Sequence, residues 1–388
     1  MNQGKYIFAQ LTDFLPRRVF DRIVENHQGN KYVRHFTCWN QMLCMVFGQL
    51  TSRDSMRDLM LSLEAHVSKY YHLGLGSTVT RRNLGKANEK RSYKIFEEFA
   101  YVLIEEARKS CYKDEFEIDV DCNIYALDST TIDLCLSVFW WAEFRKHKGG
   151  IKLHTLYDVK TSIPSFLHIT TASVHDVNIL DLIPYETGSF YIVDKGYIDF
   201  KRLYKLHLKG SFFVTRAKDN MRFRMYSRAV DKITGVLYDQ IGRLEIYYSR
   251  KDYPEKLRRI KYYDQNRDRT FIFITNNMDL KAEEIPMLYK KRWEVELFFK
   301  WMKQHLRIKS FWGITMNAVK VQIYCAIIAY CLVAIIGNKL KVDRSIYEIL
   351  QILSISLLDK TPVREILTKC DYKNVKELNY KQLTISGF

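Results

Sequence analysis

Three acidic residues in this chain stand where a carboxylate needs a reason to be. Asp128 follows the apolar run NIYAL, and Asp194 ends the apolar run SFYIV. A carboxylate in or at the end of a buried strand costs free energy unless it is paired, hydrogen-bonded or bound to a metal. Two such positions on different strands of one sheet suggest a divalent-cation site. Taken singly, each reads first as a turn cap, because Ser129-Thr130 follows one and Lys195-Gly196 the other. The third acid lies in EEIPMLYKKRWEVELFFKWMKQHL. At about 100° per residue, Tyr289, Arg292, Glu296 and Lys303 fall within a roughly 60° arc of one helix face. Val295, Phe299, Met302 and Leu306 form an apolar stripe on one side of that arc, and Trp293, Leu297 and Trp301 flank the other. Such a helix would hold a carboxylate against a sheet. By itself the strip is also compatible with chance polar residues on an amphipathic helix.

The elements that must position these residues are legible from periodicity. Residues 1 to about 112 read as helical, with apolar returns at three and four in CWNQMLCMVFGQL and YKIFEEFAYVLIEEARKS. Between these stretches Gly74 and Gly76 break the chain and Ser77 or Thr78 is placed to cap a helix. Arg81, Arg82, Lys86, Lys90 and Arg91 follow. A short basic helix after a tight turn suits a DNA groove, and equally an ordinary solvated helix face. From about residue 122 the period becomes that of strands: NIYALDSTTIDL, IKLHTLYDVKT and PSFLHITTAS. A short helix, DVNILDLIP, precedes two further strands, SFYIVDKG and KGSFFVTRAK. Residues from about 219 to 270 are charged, with strand-like pieces GVLYDQI, RLEIYYSR and RRIKYYD. This reads as a β-rich insertion within an α/β domain. RTFIFITNN restores an apolar strand, a long helix starts near Lys281, and the chain from about residue 313 is helical.

Composition narrows the partner. The chain has 388 residues, enough for two or three domains, and a hydrophobic fraction of 47% supports a real core. Lys and Arg number 61 against 44 Asp and Glu, a net charge of +17. Such an excess attracts polyanions, nucleic acid foremost, although a soluble protein rich in lysine shows it too. The eight cysteines (38, 44, 111, 122, 135, 325, 331 and 370) form no C-x2-C pair or zinc-spaced cluster. With no signal-like start, they predict a reduced, cytoplasmic protein. The uncharged run at 321–337 is short of the roughly 20 residues a span needs and reads first as a buried helix, with a membrane anchor as the lesser reading.

The spacing Tyr289-x2-Arg292-x3-Glu296-x6-Lys303 resembles the Y-R-E-K signature of bacterial insertion-sequence transposases with DDE catalytic domains, the insertion-sequence-four type. ALDSTTIDL resembles that family's first-aspartate strand and YIVDKGY its second-aspartate motif. HKGGIKLHTLYD, with Lys152 and His154, and SVHD, with His175 and Asp176, resemble the segments between them. The likeness runs from about residue 122 to Trp312, and more loosely over the helical N-terminus with RRNLGKANEKR.

The resemblance implies an α/β protein whose ribonuclease-H-like catalytic domain (113–312) carries a β-rich insertion (about 219–270). A helical DNA-end-binding region (1–112) and a helical C-terminal region (313–388) would flank it. It implies a transposase that cuts and joins DNA with Asp128, Asp194 and Glu296 as ligands of two Mg2+ ions, or Mn2+. Arg292 and Lys303 would contact DNA phosphates and Tyr289 would lie beside the scissile strand, while Arg81, Arg82 and Lys86 would contact element ends. The partners implied are double-stranded DNA, as element end and as target, and a second copy on DNA, at the bacterial nucleoid and away from membrane. Family members that excise through a DNA hairpin stack a flipped base on a tryptophan of the insertion. This chain has no Trp between Trp141 and Trp293, leaving Tyr226, Tyr238, Tyr247 or Tyr248 for such stacking, or no hairpin chemistry. His147, His154 and His175 suggest hydrogen bonding within the sheet before a second metal site. Two competing functions remain: a nuclease without strand transfer, and a non-catalytic DNA-binding protein descended from a transposase.

Overall fold

The computed structural model describes residues 4–76, 79–111, 122–145, 148–229, 235–306, 308 and 311–368. Six helices open the chain: α1 (Ile7–Thr12), α2 (Arg17–Asn26), α3 (Cys38–Leu50), α4 (Met56–Glu64), α5 (Arg81–Lys90) and α6 (Lys94–Ser110). Then come strands β1 (Ile124–Leu134), β2 (Glu143–Arg145), β3 (Lys148–Asp158), β4 (Ile163–Thr171) and β5 (Phe190–Val193). Helix α7 (Phe200–Leu208) leads to β6 (Phe212–Arg216), β7 (Phe223–Ala229) and β8 (Val236–Leu244). Helix α8 (Tyr247–Asp252) precedes β9 (Leu257–Asp264) and β10 (Arg269–Thr275). The chain continues through α9 (Glu284–Lys290), α10 (Trp293–His305), α11 (Met316–Lys339), α12 (Ile346–Ser356) and α13 (Val363–Leu367).

Among the described residues ten strands make one sheet, ordered β2-β3-β1-β5-β6-β10-β9-β8-β7, with β4 also on β3. β1, β3 and β4 pair antiparallel, and β1, β5 and β6 pair parallel. Three antiparallel strands followed by two parallel ones are the ribonuclease-H-like core expected from the sequence. The charged segment forms β7, β8 and β9, which continue the same sheet antiparallel through β10. Gly242 allows that extension: a Cβ there would lie 2.2 Å from the Arg224 carbonyl across the β7–β8 pair.

Alternation along the strands divides the core in two. Ile124 and Ala126 join a large cluster with α6, α10 and α11, whereas Tyr125 and Leu127 join a smaller one with α7. α11 is long and apolar enough by composition to cross a membrane, but 94% of its most apolar window is buried inside the protein. It is the central core helix, packed on α3, α5, α6 and α12. The helical segments from the two ends of the chain therefore share one hydrophobic core with a face of the sheet.

Four local expectations change. The long helix from Lys281 is two helices, because i→i+3 bonds from Lys291 to Leu288 and from Arg292 to Tyr289 tighten the chain between α9 and α10. The piece EIYYSR is expected in a strand from its residue types, but Tyr247 to Arg250 lie in α8. DVNILD is a 3-10 helix. The basic helix α5 is capped by Thr80, whose hydroxyl accepts from the Asn83 amide, while Ser77 and Thr78 lie outside the described residues, as do His147 and Cys370. Gly74 and Gly76 break the chain as expected, with φ of +75° and +73°.

Candidate active site

Parallel pairing of β1 with β5 puts Leu127 opposite Val193, so Asp128 and Asp194 occupy neighbouring places at the end of that pair. Asp128 continues along β1, whereas Asp194 leaves β5 and accepts a bond from the Gly196 amide at 3.3 Å. Both follow residues of the α7-side cluster, so alternation turns them toward α10. α10 lies over β1 and β3. Val295, Phe299, Met302 and Leu306 are all buried there, each side chain contributing about 1.5–3 kcal/mol to holding the helix down. The opposite flank differs from the sequence-based expectation. Trp293 and Leu297 are half exposed, and only Trp301 packs inward, on Tyr330.

Despite the break, the polar strip converges on the two aspartates. Arg292 donates from one nitrogen to Asp128 Oδ2 at 2.7 Å and from the other to Glu296 Oε1 at 2.5 Å. Its side chain is only 13% exposed, so this guanidinium is committed to the carboxylates rather than to solvent. Tyr289 donates its hydroxyl to Asp194 Oδ1 at 3.1 Å. Lys303 donates to the Thr131 carbonyl at 2.9 Å, at the rim of an open cleft of about 410 Å³ lined by Asp128, Thr130, Glu296 and Lys300. The sequence pattern did not single out Arg216, which ends β6, bonds Asp194 Oδ1 at 2.9 Å and lies 5.6 Å from the Tyr289 ring centre. Its signal was available, since KGSFFVTRAK places an arginine at the end of the strand next to β5.

These contacts set the acids apart electrostatically. Burial pushes the Asp128 carboxyl up to about 6, with Glu296 and Asp194 adding repulsion, against the Ser129 amide and Arg292. Burial also opposes charge on Asp194, but the Arg216 and Gly196 hydrogen bonds and the charges of Arg216 and Arg292 hold it below its ordinary value. Behind β1, Ser129 donates to Asp176 at 2.8 Å, and Lys152 pairs with the same carboxylate at 3.1 Å. His154 is buried, bonds Thr170 across β3 and β4 at 2.9 Å, and has its pKa lowered to about 4 by burial. His175 is exposed.

Among the described residues no three His, Cys, Asp or Glu side chains meet closely enough to hold an ion as they stand. At this centre the Arg292 guanidinium lies between Asp128 and Glu296 and bonds both. The donor set suits a hard divalent cation: three carboxylates, all hard oxygen ligands, with two of them gathered around a positive group. The exposed basic residues Arg81, Arg82 and Lys86 lie on α5, which packs on α3, α4 and α11, and they make no part of this centre.

The model of the transposase DDE domain matches residues 122–332, and that of a domain of unknown function matches 3–76. A putative transposase of Sinorhizobium fredii is 31% identical over 291 residues, covering 74% of this chain and 80% of the relative. The chain belongs to the DDE transposases. The probable transposase for insertion sequence element IS5377 of Geobacillus stearothermophilus is 30% identical over 53% of this chain and 54% of its own. The putative transposase for element IS4SA of a Synechocystis strain is 25% identical over 67% and 73%. As a transposase this protein is an enzyme that cleaves DNA, and the matched segment contains Asp128, Asp194, Arg292 and Glu296.

Proposed function

We propose that the transposase binds the ends of its element, hydrolyses phosphodiester bonds there and joins the freed 3′-hydroxyl ends to target DNA at the centre formed by Asp128, Asp194 and Glu296. The observation that carries this reading is the bridge of Arg292 between Asp128 and Glu296, with Tyr289 on Asp194, because it gathers strip and strands at one point. These three carboxylates would hold divalent magnesium or manganese. Two such ions, when bound, supply electrophilic stabilisation of the attacking and leaving oxygens of an in-line displacement. The chain's own part is to bind and orient. Arg292 offers a planar fork that suits a phosphate once its carboxylates are otherwise engaged, and Lys303 adds a second positive group on the same helix face. Tyr289 and Arg216 fix the Asp194 carboxylate. Two copies, each with one centre, would serve the two ends of an element in the cytoplasm, at the nucleoid.

The test is incubation of purified protein with element-end DNA and Mg2+, scoring nicking and joining separately. Asp128→Ala, Asp194→Ala and Glu296→Ala should each abolish cleavage and leave DNA binding largely intact. Normal cleavage by any one of them removes that residue from the centre. Cleavage without joining by the wild type would restrict the activity to that of a nuclease.

A further inference from the structure

The sheet extension carries a second concentration of positive charge that the acidic centre does not use. Register puts Arg228 opposite Gln240, Gln240 opposite Arg259, and Tyr238 opposite Lys261, so these side chains share one face. The charged ends of Arg259, Arg228 and Lys261 lie 5.5, 5.7 and 5.8 Å from the Tyr238 ring centre. Arg259 also lies 4.7 Å from the Phe223 ring centre. Its donors go to a neutral acceptor, Gln240 Oε1, at 3.0 and 2.6 Å. The carboxylates of these strands are spent elsewhere: Asp239 pairs with Arg258 at 2.7 Å and Asp264 with Arg267 at 3.9 Å. Three cations gathered on one ring repel each other, and the negative face of the ring only partly offsets that repulsion. Folding gains little from this grouping, but a polyanion laid across it would gain much.

The group is also connected to the acidic centre. A cavity of about 290 Å³ is lined by Lys195, Arg216, Lys218, Asp219 and Arg259, four cations to one acid among its charged residues. Arg216, which bonds Asp194 on the α10 side of the sheet, and Arg259, which lies by Tyr238 on the opposite side, both line this cavity where β6 ends. We propose that this face is a phosphate track, along which the backbone of DNA bound at the acidic centre passes the end of β6 by Lys195 and Lys218 and runs on over Arg259, Lys261 and Arg228. Tyr238 is its platform, holding the cations in place rather than stacking a base, since its ring is already attended by three of them. The track rests on the reading of the acidic centre as a DNA-cutting site.

The experiment is titration of a fluorescent random-sequence DNA duplex with full-length protein in EDTA over a range of salt concentrations, so that no cleavage enters the result. Arg259→Gln with Lys261→Gln should bind about tenfold more weakly and flatten the dependence of log K on log salt by about 2, roughly one for each phosphate no longer neutralised. Tyr238→Leu should weaken binding in the same direction, and Tyr238→Phe should keep wild-type affinity. Lys341→Gln with Lys360→Gln removes the same net charge from the C-terminal region and should leave the slope near wild type. An unchanged slope in the Arg259/Lys261 variant, or an equal change in the Lys341/Lys360 variant, overturns the track. Failure of the wild type to cut element-end DNA with Mg2+ would instead remove the parent reading, so the two failures are separable.

Discussion

Replacing Asp128 by asparagine should stabilise the metal-free protein at neutral pH while removing its cleavage activity. The Asp128 side chain is 20% exposed and its carboxyl titrates near 6 instead of the usual 3.8. At about 1.4 kcal/mol for each tenfold change in proton affinity, that displacement corresponds to about 3 kcal/mol. The folded state holds this proton more tightly than the unfolded chain does. Its contribution to stability is therefore fully present below about pH 4, and it is lost as pH rises through about 6. Asparagine is neutral like the protonated form and does not titrate; its one oxygen can take the Ser129 amide, the partner of Oδ1, while Arg292, the partner of Oδ2, keeps Glu296. Urea unfolding in EDTA at several pH values between about 4 and 8 should show the variant more stable by about 2–3 kcal/mol above pH 6, with the two proteins converging near pH 4. Added Mg2+ should narrow the gap at high pH, because only the wild type gains a ligand for its charged carboxylates. Parallel pH profiles, or a wild type that is the more stable protein at pH 8, would refute the argument that burial and like charge hold Asp128 under strain.

Arg81→Ala with Arg82→Ala should weaken binding to element ends and flatten its salt dependence by about 2, and an unchanged slope would make α5 a solvated face only. Asp239→Ala should cost about 3–5 kcal/mol in denaturant unfolding, because Arg258, 7% exposed, would be left buried without its partner. Arg258→Met with Asp239→Leu should be far milder, and an equal loss in both would contradict the desolvation argument. Light scattering with cleaved end DNA should give two protomers with two ends, whereas one protomer with one end, in a preparation competent for joining, excludes the dimer.

Much of the catalytic region is legible because it rests on short-range pattern. The strands carrying Asp128 and Asp194 announce themselves by apolar runs, and turn-forming residues mark where they stop. The helix bearing Glu296 shows its buried stripe by period, and Val295, Phe299, Met302 and Leu306 are all inside. Spacing also brings Tyr289, Arg292 and Glu296 to one side, and the structure keeps them together even though the helix breaks between the first and second. α8 escapes such reading because YYSR is rich in residues that favour strands, and a six-residue helix leaves no period to read.

The rest depends on proximity between residues distant in sequence, which no local pattern carries. That Arg292 bridges one acid 164 residues away from it in sequence and another four residues away follows from α10 lying over β1. The role of Arg216 emerges only when β6 is laid beside β5, and the cations around Tyr238 meet only because a register pairs three strands across the sheet. The apolar run at 321–337 is ambiguous between core and membrane until packing places it in the centre, since composition measures what a helix prefers and not what surrounds it. Sequence thus determined the acids, their carriers and the sign of the charge. Tertiary structure decided which charges face each other, because electrostatic energy depends on distance in space, and folding sets that distance independently of separation along the chain.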